Sequence, residues 1–329
     1  MRDIRHTLLR GAIIAVAAVG ASMLLIAAGG QEGTGAPTTL TFSDMSWDSV
    51  RVHNRIVALI LEHGYEGNYE FDYTTGSTVA MAQGLSQGDN HVIMESWHNN
   101  WPELWEEVTG SGDVLDLGSN FEGAPQGWYV PTYIIEGDPE RDIEPSAPDL
   151  RSIDDLPEYW ELFRDPENPD KGRIMVGPPG WAITETNEEL MEETGLTEYY
   201  TAFLPGSDSA LKGSMEAAFR RGEPWLGYHW EPTWIMGKLD MTRLEGVGLP
   251  TGEVHKIAHK SVEEQAPELV ELLERYETNL DQNNAFLAQM QDNEWDYEQA
   301  AEWFLREHED TWTEWVSEDV ADRVRAAVR

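Results

Sequence analysis

The stretch Thr38–Glu95, TTLTFSDMSWDSVRVHNRIVALILEHGYEGNYEFDYTTGSTVAMAQGLSQGDNHVIME, decides the fold. Thr38 to Phe42 alternates polar and apolar residues as a strand does. Val50 to His63 places Val52, Ile56, Leu59 and Ile60 at helical spacing and ends at Gly64. Tyr69 to Thr74 reads as a second strand, Val79 to Leu85 as a short helix and His91 to Glu95 as a third strand. A β-α-β-α-β order implies a parallel sheet with helical crossovers, because parallel neighbours cannot be joined by a tight turn.

Downstream, Gly127 to Ile135 reads as a strand, and residues 136–170 are Pro-, Asp- and Glu-rich loops around short helices. Gly172 to Val176 and Pro224 to Tyr228 are further strands, and Ser209 to Arg221 is a helix. From Val262 the chain is mainly helical, and Trp303, Trp312 and Trp315 in this tail read as packing residues. These signals suit two α/β lobes, and periodicity alone does not say which lobe the tail joins. Upstream, Arg2, Arg5 and Arg10 precede the apolar run Gly11 to Ala28, and small residues follow it, as in an export signal over 1–28. Residues 29–37 form a Gly-rich leader. The run Leu25-Ile26-Ala27-Ala28-Gly29 resembles a lipoprotein box with glycine in place of the lipidated cysteine. The chain has no cysteine, which rules out lipid attachment there, disulfides and thiol chemistry. The expected location is the periplasm or the outer face of the cytoplasmic membrane. If the apolar segment stays uncleaved it tethers the chain, but one such segment excludes a fused multi-span permease.

The 329 residues are 40% hydrophobic, enough for a globular body of two domains, with 61 acidic against 22 basic residues and a formal charge of −39. Such a surface is the wrong sign for nucleic acid. With only five lysines, it suits a protein working in high salt, where self-repulsion is screened.

Fourteen tryptophans are a heavy load, and several cluster where strands end. Trp97 lies in Met94-Glu95-Ser96-Trp97-His98-Asn99-Asn100-Trp101, Trp181 in Pro178-Pro179-Gly180-Trp181-Ala182-Ile183, and Trp230 in Tyr228-His229-Trp230-Glu231-Pro232-Thr233-Trp234. Trp47 follows the first strand. Ligands of open α/β sheets bind beyond the carboxyl ends of strands. A quaternary ammonium has no N–H to donate, and the faces of indole rings attract it by about 0.5–2 kcal/mol per contact. Converging tryptophans are therefore a cage for such a cation.

These segments, in this order, resemble the glycine betaine/proline betaine-binding components of ABC importers, from about residue 40 to the C-terminus. The resemblance implies a two-lobed periplasmic-binding-protein fold with a hinge and a ligand cleft between the lobes. It places 38–128 plus 252–329 in lobe 1 and 129–251 in lobe 2, with the tail returning to lobe 1. It implies that Trp97, Trp181 and Trp230 wall the ammonium site, and that the backbone N–H groups of Ala182 and Ile183 hold a ligand carboxylate. Trp47 with Asp48, and Trp128 or Tyr129, correspond to further contacts in related choline binders. An ABC permease with its ATPase is the implied partner, uptake of osmoprotectants is the implied role, and no cofactor is implied.

Two residues depart from the family pattern. Glu95 and Glu231 stand where betaine binders commonly carry uncharged residues, and a carboxylate beside the cage favours a cation such as choline over a zwitterion. Strand alternation puts Glu95 on the face of Trp97. His255 and His259, four apart, suit one helix face, but no third ligand at metal-site spacing accompanies them, so no metal is assigned. Strand-end tryptophans also stack on sugars, which leaves an exported carbohydrate-active enzyme as the rival class. No distinguishable acid/base pair, nucleophilic triad or phosphate loop supports catalysis.

Overall fold

In the computed structural model the residues described are 36–249 and 251–329. The expected signal segment 1–28 and nearly all of the leader 29–37 lie outside them. The opening stretch folds as β1 (Thr38–Ser43), α1 (Asp48–Gly64), β2 (Tyr69–Thr74), α2 (Thr78–Gln87) and β3 (Val92–Ser96). β1 pairs in parallel with both β2 and β3, as the alternating pattern requires. The Ser77 side chain accepts the N–H of Ala80 and so starts α2.

The chain continues through α3 (Pro102–Gly110), β4 (Val114–Ala124), β5 (Gln126–Pro131), α4 (Tyr133–Glu136), α5 (Leu156–Tyr159), β6 (Gly172–Met175) and α6 (Ala182–Glu193). β7 (Tyr200–Phe203), α7 (Asp208–Arg221), β8 (Gly227–Trp230), β9 (Met241–Arg243) and β10 (Gly252–His259) follow. The tail is α8 (Val262–Gln265), α9 (Pro267–Arg275), α10 (Leu280–Asn293), α11 (Tyr297–Glu307), α12 (Glu309–Trp312) and α13 (Glu318–Ala327). Among the described residues no helix is long and apolar enough to cross a membrane.

Two five-stranded sheets result, ordered β2-β1-β3-β10-β4 and β7-β6-β8-β5-β9. In each, a parallel trio is extended by antiparallel strands: β10 and β4 in the first, β5 and β9 in the second. This is the α/β, two-lobed architecture expected. The backbone passes between the sheets at Pro125 and again between β9 and β10. The first crossing precedes the division expected after Trp128, because Gln126, Gly127 and Trp128 already pair with Trp230, His229 and Tyr228. The strand expected over 127–135 stops at Pro131, and Tyr133–Glu136 turns helical. His255 and His259 lie on β10, not on a helix.

The C-terminal helices α11 and α13 pack on α1. Arg323 Nε donates to the Gly64 carbonyl at 2.7 Å, and a Cβ at Gly64 would sit 2.7 Å from Val320 Cγ1. Gly64 is thus a close-approach site as well as a helix end. Trp312 is fully buried and donates its indole N–H to the Leu305 carbonyl at 2.7 Å. Trp312→Ala removes a large buried ring and leaves that carbonyl without its donor. Urea unfolding is expected to show a loss of about 3–5 kcal/mol, and a loss below 1 kcal/mol would contradict this packing role.

Candidate ligand site between the two sheets

The residues flagged at strand ends meet at one cavity. Trp47, Thr78, Glu95, Trp97, Asn100 and Trp101 line it from the first sheet's side, and Trp181, Ala182, Ile183, Tyr228 and Trp230 from the second. It encloses about 390 Å³ of empty space, open in part to solvent. Each wall comes from an element end: Trp47 immediately precedes α1, Trp97 follows β3, Trp181 precedes α6 and Trp230 closes β8. The rings stand at right angles. Trp181 meets Trp47 at 5.7 Å and 83°, and Trp230 at 5.1 Å and 82°. Edge-to-face contacts of this kind are preferred by the ring quadrupoles, and they fix a corner rather than a flat stack.

Glu95 lies behind two of these walls and is only 1% exposed. Its Oε2 accepts the indole N–H of Trp47 at 2.7 Å and of Trp97 at 3.1 Å. Burial pushes its carboxyl up to about 7, and Ser49, Trp47 and Trp97 act in the opposite direction. His53 Nε2 stands 3.6 Å from Glu95 Oε1, while His53 Nδ1 shares a 2.6 Å hydrogen bond with the Tyr276 hydroxyl. Burial, aided by the charge of Lys256, holds His53 down to about 3, so its imidazole is neutral at physiological pH.

The start of α6 also lines the cavity. Trp181 is its N-cap in extended conformation, and its side chain makes no cap hydrogen bond. The N–H groups of Ala182 and Ile183 have no intrahelical acceptor, as at the start of any helix, and they carry the positive end of the helix dipole. A cavity lined by indoles, by a carboxyl group bonded to two of them and by a helix N-terminus suits a small molecule carrying both charge signs.

Several contacts close the cleft. Trp181 Nε1 donates to Ser46 Oγ at 2.8 Å, and Asn100 and Gln126 exchange amide hydrogen bonds at 2.9 and 3.3 Å. Lys212 Nζ, in α7, bridges Asp208 at 2.7 Å and Asp48 of α1 at 2.8 Å. Gly180 (φ +84°) leaves room for Ser77, whose Cβ would lie 2.8 Å from a side chain there.

Of the residues singled out in the sequence, Trp47, Glu95, Trp97, Trp181, Ala182, Ile183 and Trp230 line the cavity. Four do not. Asp48 turns to Lys212 instead. Trp128 is fully buried and donates to Asn187 Oδ1 at 2.7 Å, so it packs the second lobe. Tyr129, its neighbour on β5, is buried near Arg243 and outside the lining, and burial pushes its hydroxyl up to about 12. Glu231 follows Trp230 just beyond β8, and its N–H donates to the Pro125 carbonyl at 2.9 Å, where the backbone crosses. Thr78, Asn100, Trp101 and Tyr228 also line the cavity without having been assigned to it. Asn100, Trp101 and Tyr228 lie inside the quoted segments, and Tyr228 shares the face of Trp230 by strand alternation. Thr78 carries no signal of its own.

The profile of the family described as the substrate-binding domain of ABC-type glycine betaine transport systems matches residues 38–307. The chain belongs to that family. It is 20% identical over 314 residues to the glycine betaine/proline betaine-binding periplasmic protein of Escherichia coli, covering 87% of this chain and 89% of that protein. It is 21% identical over 193 residues to the trimethylamine N-oxide-binding protein of Pelagibacter ubique, covering 57% of this chain and 60% of that protein. A solved ABC-transporter choline-binding protein in complex with choline superposes with a TM-score of 0.74 at 19% identity, over 88% of this chain and 98% of that one. Its family is thus that of the substrate-binding domains of ABC-type glycine betaine transport systems.

The Lys212 pair supplies a test of closure in this binding protein. Lys212→Met keeps the apolar stem but removes the charge that bridges Asp48 and Asp208. Small-angle scattering of the ligand-free protein is expected to show a larger radius of gyration for the variant. An unchanged radius would mean that the pair does not hold the lobes.

Proposed function

We propose that the protein works outside the cytoplasmic membrane, captures glycine betaine or proline betaine, and delivers it to a membrane permease driven by an ATPase, for osmoprotectant uptake. The observation that carries this reading is the convergence of Trp47, Trp97, Trp181 and Trp230 on one cavity that the uncapped start of α6 also faces. The methylammonium sits against the indole faces, and the carboxylate takes the N–H groups of Ala182 and Ile183. The relatives named periplasmic support export, with residues 1–28 as the signal. The family is one of binding proteins, and the cage binds its ligand without chemical change.

Isothermal titration with glycine betaine is expected to give saturable one-to-one binding. Trp230→Ala is expected to weaken it by roughly 30-fold, the equivalent of about 2 kcal/mol for one desolvated cation–π contact. No heat with glycine betaine, proline betaine, choline or trimethylamine N-oxide would overturn the proposal.

Glu95 favours a second reading, a choline-type cation. Its carboxylate, at the N–H edges of Trp47 and Trp97, adds negative potential to both rings. The groups around it are His53, neutral in this range, the Tyr276 phenol, held far above its ordinary range by burial, and Lys256 behind His53, held down to about 8 by burial. A cation binds the ionised form of Glu95, so affinity should fall as pH drops through about 7 and the carboxyl protonates. Choline affinity is therefore expected to fall between pH 8 and pH 6, by at most about tenfold per pH unit. Glu95→Gln keeps an acceptor for the indoles and should flatten that profile. A slope unchanged in the variant would move the pH dependence to another group, such as Lys256.

A further inference from the structure

We propose that a divalent transition-metal cation, with Zn²⁺ as the reference case, binds between His98, Glu253 and His255, where the turn after β3 meets β10. His98 opens the turn after β3, while Glu253 and His255 sit two apart near the start of β10. One ligand atom from each lies within 4.8 Å of the others. Tetrahedral zinc holds its ligand atoms about 3.3 Å apart, so only modest side-chain rotation is needed.

The surroundings are those of a ligand set. His255 Nε2 is 3.1 Å from Glu253 Oε1, close to the spacing of two ligands on one metal. Its other nitrogen, Nδ1, is 2.8 Å from Asp116 Oδ1 on β4. A carboxylate on the far nitrogen is how metal-bound histidines are oriented and made better donors. The His98 and His255 rings approach to 4.6 Å, which costs repulsion if both are protonated and is natural if a cation lies between them. His98 Nδ1 is buried and, among the described residues, has no hydrogen-bond partner. Trp105 backs both rings, at 4.7 Å from His98 and 5.7 Å from His255. The pair His255/His259, spaced as if on a helix, thus gives way to a trio in which the strand supplies two ligands and a distant turn the third.

The site bears on the cage through Trp97. That residue directly precedes His98, and its ring lies 2.7 Å from where a Cβ of Gly252 would be. A cation joining His98 to Glu253 and His255 therefore braces both segments that hold Trp97.

Titration of the full chain with ZnCl₂ in chelator-free buffer tests the proposal, together with the absorption spectrum of the Co²⁺ complex. One saturable equivalent of Zn²⁺ and an intense tetrahedral Co²⁺ band are expected. His98→Ala and His255→Ala should each weaken binding by at least about tenfold, and Asp116→Asn by about tenfold. His259→Ala, on the same strand but bonded to Ser261, should leave it unchanged. No stoichiometric binding would overturn the proposal. So would binding that survives both His98→Ala and His255→Ala, since the cation would then belong to the acidic surface at large.

Discussion

A carboxylate cut off from water must find donors, and Glu95 finds them in the indole N–H groups of Trp47 and Trp97. That one contact orders much of the ligand site. It ties the residue before α1 to the residue after β3, two segments 48 positions apart at their hydrogen-bonded ends. With their N–H edges pinned, the two rings present carbon to the cavity, which is what a methylated ammonium needs. His53, hydrogen-bonded to the Tyr276 hydroxyl, is neutral and offers Glu95 no counter-charge.

The second lobe contributes the complementary sign. Trp181 makes no side-chain cap at the start of α6, and Ala182 and Ile183, the first residues of that helix at the positive end of its dipole, line the cavity. Trp181 belongs to both lobes in effect: its ring is edge-on to Trp47, and its N–H reaches Ser46. The cage is complete only when the lobes meet, and the Lys212 bridge, the Asn100–Gln126 exchange and the glycine at 180 each act at that meeting. These contacts hold the two lobes together around the cavity.

Much of this was legible in the sequence. The periodicity of 38–95 marks the parallel core of the first sheet, and four of the strand-end tryptophans line the cavity. What escaped has physical causes. Asp48 and Trp128 have chemistry suited to a ligand, yet Lys212 and Asn187 claim them first, and such pairings between distant residues leave no mark on local pattern. Tyr129 is buried beside Arg243 in its own lobe, and Glu231 falls just past the end of β8, where the backbone turns away to meet Pro125. Thr78 lines the cavity only because α2 begins there. β10 escaped because its histidines were read at helical spacing, whereas the partners of His255 come from β4 and from the turn after β3, and His259 bonds Ser261.

The most direct test is a crystal structure of the protein grown with glycine betaine. The trimethylammonium is expected among Trp47, Trp97, Trp181 and Trp230, within about 6 Å of the ring centroids, with the carboxylate on the N–H groups of Ala182 and Ile183. A ligand bound elsewhere, or one turned so that its carboxylate meets the indoles and its ammonium meets α6, would contradict the assignment of charge to the two sides of the cleft.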